Sequence, residues 1–210
     1  MILKDFLPGV RCIVMASGCS RRYGKDKLLE PLDGRALLLH TLDSLKAAGL
    51  EPLVVTRNAA IRELVAGEGF PCVLHDGPNR SDTLRAGLTV LGEGAEGWLF
   101  MPGDQPLVRA DSLRRMLDRF AARPDRALRL GYGDAVGSPV IFPAVCREDL
   151  MALEGDRGGM EVIRTKKIPC DIAQARYPWE LWDVDTPDDM ARVRAAYFRF
   201  VQAADGNVSG

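Results

Sequence analysis

The chain has 210 residues, 47% of them apolar and 27% charged, which fits one α/β domain with a sizeable core better than two. Its 28 basic and 29 acidic groups leave a net charge of −1, so no nucleic acid or membrane partner is expected and an anionic ligand must be held by a local cluster. The five cysteines, an odd number without a C-x-x-C pair, argue against a disulfide framework or zinc site and for reduced thiols in a cytoplasmic protein. No apolar run nears the roughly 18 residues that span a bilayer, and the start, MILKDFLPG, is too short and interrupted for a signal peptide.

Val10–Ala16 (VRCIVMA) reads as a strand buried on both faces. A loop of small and basic residues, Ser17–Lys27, follows. Leu38, Leu42 and Leu45 then lie at helical spacing, with Gly49 as the stop. Leu53–Thr56 is a second strand, Ala59–Ala66 a second helix, Pro71–Leu74 a third strand and Asp82–Leu91 a third helix. Trp98–Met101 (WLFM) is a buried strand running into Pro102-Gly103-Asp104. Leu113, Met116, Leu117 and Phe120 share one helix face. Val140–Phe142 and Ile168–Asp171 are further strands. The last helix is capped by Thr186, with Pro187 in its first position and Asp189 completing a capping box. Met190, Val193, Tyr197 and Val201 form its apolar stripe. Residues 1–203 are expected as a single domain and 204–210 as a disordered tail. Alternating strands and helices predict a mostly parallel sheet with helices on both faces.

Ligands of such sheets bind beyond the carboxyl ends of the strands, which singles out three segments. In the first loop, Gly18 and Gly24 allow close backbone approach, and Arg21, Arg22, Lys25 and Lys27 bring four cations within seven residues; that chemistry suits a polyphosphate. An ordinary solvated basic loop is the competing reading. Neither G-x-x-x-x-G-K-[ST] nor G-x-G-x-x-G is present. Asp104 directly follows a buried strand, where a carboxylate can serve magnesium, although a turn aspartate bonding its own backbone looks the same. Asp185 precedes the last helix, with Asp183 as its rival. His40 and His75 read as packing or surface residues, and Trp98 as core. Trp179 and Trp182 read as core.

Taken in order, MASGCSRRYGKDKLL, PLDGRALLLHTL, SDTLRAGL, GDQPLV, GSPVIFP, GDRGG and DVDTPDD resemble the motifs of the molybdenum cofactor nucleotidyltransferase family, and more closely its cytidylyltransferase branch. The likeness covers about residues 10–195. It implies a Rossmann-like nucleotidyltransferase fold and a Mg2+-dependent transfer of CMP from CTP to the terminal phosphate of molybdopterin cofactor, with release of pyrophosphate. It also implies that Ala16, Ser17 and Gly18 lie against the nucleotide, that Arg22 and Lys27 hold its phosphates, that Ser81 and Thr83 lie nearby, and that Asp104 and Asp185 bind magnesium. Arg22, Lys27 and Asp104 are thus the expected catalytic residues, and the Gly155–Gly159 loop would line the acceptor side. Asp82 departs from the pattern by replacing a small hydroxyl residue, and Met160 stands where the family often has Arg. The alternatives are a related enzyme using GTP or another phosphorylated acceptor, and a non-catalytic carrier that delivers the cofactor to a client molybdenum hydroxylase.

Overall fold

The computed structural model describes residues 9–18 and 22–205. Cys19, Ser20 and Arg21 of the first loop lie outside the described residues, as do 206–210 of the expected tail and the side chain of Val201.

The strands are β1 (Val10–Ala16), β2 (Pro31–Leu32), β3 (Arg35–Ala36), β4 (Pro52–Thr56), β5 (Cys72–Leu74), β6 (Gly97–Pro102), β7 (Ala127–Tyr132), β8 (Ala135–Pro143) and β9 (Cys170–Gln174). The α-helices are α1 (Leu37–Ala47), α2 (Ala59–Gly67), α3 (Arg80–Leu91), α4 (Ala110–Ala122), α5 (Arg147–Met151), α6 (Met160–Lys166) and α7 (Pro187–Asp205). Helix α7 therefore continues past the expected boundary at Ala203. The seven-stranded sheet has the order β5-β4-β1-β6-β8-β7-β9. Only β8 runs against its neighbours, whereas β9 pairs parallel with β7. β2 and β3 form a separate small hairpin.

Alternation along β1 explains the two layers. Cys12, Val14 and Ala16 point into one core, with leucines of α1 and the apolar faces of α2, α4 and α7. Ile13 points into the other, with Leu84 and Leu88 of α3, Leu150 of α5 and Val162 of α6. A strand covered on both faces reads as a nearly continuous apolar run, as β1, β4 and β6 do apart from Arg11 and Thr56, whose side chains bond the carbonyls of Leu91 and Ala16. Each fully buried leucine contributes about 1.5–3 kcal/mol. Trp98 lies in the second core, as expected. His40 is structural: its Nε2 lies 2.8 Å from Leu32 O, and its ring meets Tyr197 edge-on.

The chain leaves β1 toward β4 on one side and returns to pair β6 on the other. A crevice opens where strand order reverses, beyond the carboxyl ends of β1 and β6. Among the described residues no helix is long and apolar enough to cross a membrane.

Candidate active site

At the charged end of that crevice, Gly103 N donates to Met15 O at 3.1 Å, extending the β1–β6 ladder by one residue. A Cβ on Gly103 would meet Leu38 Cδ1 at 3.0 Å and Met15 O at 3.3 Å. Thr41 Oγ1 donates to the Gly103 carbonyl at 3.2 Å. Glycine is the residue that lets α1 close over this turn, and Asp104 is placed at the mouth of the crevice as a result. The Asp104 carbonyl accepts from Val184 N at 3.1 Å, which stitches the Asp183–Asp185 segment alongside.

The capping box holds Asp185 in turn. Asp189 Oδ2 accepts from the backbone N–H groups of Thr186 and Asp185 at 2.9 and 3.2 Å, and Asp189 N donates to Thr186 Oγ1 at 3.2 Å. Lys27 opens a short 3-10 turn, Lys27–Leu29, capped by Asp26, whose side chain accepts from Leu28 N at 3.1 Å. Asn58, the cap of α2, also donates to Asp26, so the first loop is tied to the loop after β4.

These separate anchors bring Lys27, Asp104 and Asp185 together across 77 and 158 residues of chain. Lys27 is only 6% exposed. Its Nζ lies 2.6 Å from Asp104 Oδ2 and 2.7 Å from Asp185 Oδ1. Arg22 pairs with the other oxygen of Asp185. Burial alone would push the Lys27 ammonium down, but the two carboxylates beside it outweigh burial and raise its pKa. Burial lifts the Asp104 carboxyl above the ordinary range despite Lys27. The hydrogen bond from Lys27 holds Asp185 below that range. Two cations thus face two carboxylates.

At the other end two neutral hydroxyls meet an imidazole, with the Arg57 guanidinium alongside. Ser17 Oγ lies 2.8 Å from His75 Nε2, and Thr83 Oγ1 lies 3.2 Å from the same nitrogen. Ser17 Oγ also reaches Val55 O at 3.3 Å, and Arg57 Nη2 donates to the Ser17 carbonyl at 3.1 Å. The two ends share one cavity of about 880 Å³, within the usual range for small-molecule sites. Ser17, Gly18, Thr83, Asp104 and Asp185 line it, with Phe100 and Phe142 as apolar floor and the Arg157–Gly159 segment on the far side.

Two expected nucleotide contacts stand back from the wall. Ala16 belongs to the sheet, its carbonyl accepting from Thr56 Oγ1 at 2.8 Å. Ser81 is 1% exposed, and its backbone N–H donates to Gly155 O at 3.2 Å, which joins α3 to the Gly155–Gly159 loop. Asp82 is engaged at the start of its own helix. It closes the capping box of α3 with Asn79 and pairs with Arg85 at 3.0 Å; the backbone bond from Asn79 lowers its pKa first. Trp179 stacks on Tyr177 at 4.4 Å, and Arg192 covers Trp182.

Three residues escaped sequence reasoning. His75 bridges two cavity hydroxyls instead of packing. Gln105 is 5% exposed, lines the cavity and has a buried Oε1 without a partner. Glu180 is fully buried and accepts from the backbone N–H groups of Arg109, Arg176 and Tyr177 at 3.1, 2.9 and 3.1 Å, docking the segment before Asp183 onto the start of α4. A glutamate three residues after the start of the short turn, with Pro178 in its first position, was the available signal, because such a glutamate reaches back to the cap backbone.

Among the described residues no group of three or more His, Cys, Asp and Glu side chains is arranged to hold a metal unaided. Asp104 and Asp185 nevertheless fit a divalent cation of the magnesium kind, whose shell takes one or two carboxylates and is completed by phosphate oxygens and water.

The family model for the MobA-like NTP transferase domain matches residues 12–172. The chain belongs to this family. As a MobA-like nucleotidyltransferase it is 25% identical to the purine catabolism protein PucB of Bacillus subtilis, over 88% of this chain and 95% of that one. It is 31% identical to a molybdenum cofactor guanylyltransferase of Shewanella baltica, over 63% and 67% of the two chains. The crystal structure of Rv0371c from Mycobacterium tuberculosis H37Rv superposes with a TM-score of 0.78 at 30% identity, covering 89% of this chain and 98% of the other. The same protein is also known as a manganese complex, with a TM-score of 0.74 at 29% identity over those same shares. A Rossmann-like fold and nucleotidyl transfer follow for this MobA-like chain from the family and these likenesses together.

Proposed function

We propose that the chain transfers CMP from CTP to the terminal phosphate of molybdopterin cofactor, with magnesium held by Asp104 and Asp185 and the triphosphate held by Lys27 and Arg22. The observation that carries this reading is the meeting of Lys27, Asp104 and Asp185 at the mouth of a cavity large enough for two substrates. An oxygen of the acceptor phosphate attacks the α-phosphorus, a new P–O bond forms, and the bond to the β-phosphate breaks to release pyrophosphate. Such a step needs alignment and charge neutralisation more than covalent help. Two unit charges ~4 Å apart repel by about 4 kcal/mol at an effective dielectric near 20. Lys27 and Arg22 offset that repulsion and the charge growing on the leaving group. A bound divalent cation supplies further neutralisation of the same charge. No nucleophilic side chain is required. The wall around Ser17, Gly18 and Thr83 holds the nucleoside, and the Gly155–Gly159 loop faces the acceptor.

GTP as donor is the second reading, favoured by the guanylyltransferase name of the Shewanella relative; the motifs GDQPLV and GSPVIFP favour CTP. The free cysteines among the described residues accord with a reducing, cytoplasmic setting, and a molybdenum hydroxylase would be the client. The test incubates purified protein with magnesium, molybdopterin cofactor and either CTP or GTP, and reads pyrophosphate release. Release with CTP well above GTP is expected. The reverse preference replaces the donor, and no release with either, given an acceptor active with another enzyme, overturns the reading.

A further inference from the structure

We propose that His75 is a positioning residue that sets the direction of the Ser17 and Thr83 hydroxyls and so decides which nucleobase edge the neutral end of the cavity accepts. This rests on the nucleotidyl-transfer reading of the same cavity and adds a determinant of donor choice to it.

Backbone geometry fixes the ring first. His75 N donates to Thr56 O at 3.1 Å, continuing the β4–β5 ladder one residue beyond β5. Its Nε2 then lies within hydrogen-bond reach of hydroxyls from two elements, Ser17 after β1 and Thr83 on α3. Nδ1 is buried with no partner. Orphaned buried N–H groups are rare, and bare acceptors are orphaned more often. The network therefore assigns the proton to Nε2 and leaves Nδ1 bare. Nε2–H is shared between the two hydroxyl oxygens.

The remaining hydrogens follow by elimination. Val55 O can only accept, so the Ser17 hydroxyl gives its one hydrogen there, at 3.3 Å, and keeps a lone pair for the cavity. Thr83 takes the Nε2–H at its oxygen, and its own hydrogen has no acceptor among the described residues. Both residues line the cavity. The wall thus presents one acceptor, Ser17, beside one donor, Thr83. Amino-bearing bases offer a donor next to a ring-nitrogen acceptor, and oxo-bearing bases carry the same pair in reverse order. A wall with a fixed order discriminates between them. A wall whose hydroxyls are free to turn adapts to either.

The experiment is titration calorimetry of the full chain with CTP, UTP, ATP and GTP in magnesium, on wild type, His75→Phe, His75→Gln and Thr83→Val. Wild type is expected to prefer one member of CTP/UTP, or of ATP/GTP, by about tenfold, the worth of one well-made hydrogen bond. His75→Phe, of similar size but without nitrogen, brings that ratio to within about twofold. His75→Gln restores it, because its amide N–H reaches where Nε2–H was. Thr83→Val collapses the ratio alone and changes nothing further in the His75→Phe background, as groups acting in one network do. In turnover assays the loss falls on KM more than on kcat. If His75→Phe melts early, the glutamine and valine variants read the same bond. Equal affinities within each pair in wild type, an unchanged ratio in His75→Phe, or failure of His75→Gln to restore it overturns the proposal and leaves nucleotidyl transfer standing. Failure of wild type to bind any triphosphate overturns the functional reading itself.

Discussion

The two ends of the cavity are built on opposite principles. At one end Lys27 and Arg22 of the first loop meet Asp104 and Asp185, which two later chain segments supply, as full charges. At the other, Ser17, His75 and Thr83 meet as neutral groups around one nitrogen. A charged cluster acts through attraction that depends weakly on angle, so it suits a polyphosphate with many equivalent oxygens. A neutral cluster acts through direction, so it suits a base whose donors and acceptors differ by position. The difference teaches where each substitution should register: in turnover and metal response at the first end, in ligand choice at the second.

The largest expected effect is on turnover. Asp104→Asn keeps the shape and removes one of the two carboxylates that fit a divalent cation. Pyrophosphate release should fall by at least ~100-fold, beyond the 10–100-fold typical of outer-shell groups, with the base preference unchanged. Activity within a few fold of wild type would separate Asp104 from the chemistry.

Lys27→Met tests the charged end from the cationic side. It leaves Asp104 without its cation beside Asp185, which keeps Arg22, and breaking a buried pair in this way costs about 3 kcal/mol. Thermal melting should show the loss. Because the ammonium sits between the oxygens that would face the metal, manganese or magnesium alone should raise the melting temperature of Lys27→Met more than that of wild type. An equal or smaller rise would mean that the ammonium and the metal do not compete.

Much of this was legible in the sequence, for reasons that differ by region. The parallel half of the sheet reads well because its strands are covered on both faces: β1 has the expected bounds, and β6 extends the expected Trp98–Met101 by one residue at each end. Strand β7 (ALRLGY) was missed because Arg129 and Gly131 interrupt its apolar run. The Arg129 guanidinium is accommodated by the carbonyls of Gly137 and Val136 on the neighbouring strand, a partnership that no local pattern announces. Strand β9 begins two residues and ends three residues later than expected, since Pro169, a sheet-disfavoured residue, stands just before it and bonds only through its carbonyl, to Ala127 N. The charged end was legible because its residues sit in motifs at strand ends. The neutral end was not, because a histidine one residue past a strand carries no periodic signal, and its partners come from sequence positions 58 and 8 residues away.

Thr186→Ala addresses how far the charged end depends on its scaffold. Losing a helix cap costs about 1 kcal/mol. Here the lost hydroxyl also releases one bond to Asp189, whose carboxylate holds the Asp185 backbone. A modest fall in melting temperature with a few-fold weaker metal response is expected. A stability loss with no change in metal response would show that Lys27 and Arg22, and not the cap, hold Asp185 in place.

The smallest effect separates the two hydrogen assignments at the neutral end. Burial first, and then Arg57, lower the His75 pKa below its ordinary value, while Asp82 and Asp76 pull the other way. A histidine whose folded pKa is depressed contributes stability that is complete above the unfolded pKa of about 6.5. That stability is lost as pH falls from there through the folded value, since the unfolded chain binds the proton first. Wild type should therefore lose slightly more stability than His75→Gln on acidification below about 6.5. With the proton already on Nε2, acid adds the second one to Nδ1 and leaves both hydroxyls pointing as before. The base preference should then persist through the same pH range in which stability declines. A preference that inverts or vanishes in step with the stability loss would place the resting proton on Nδ1 instead, and would reverse the donor and acceptor pattern assigned to Ser17 and Thr83.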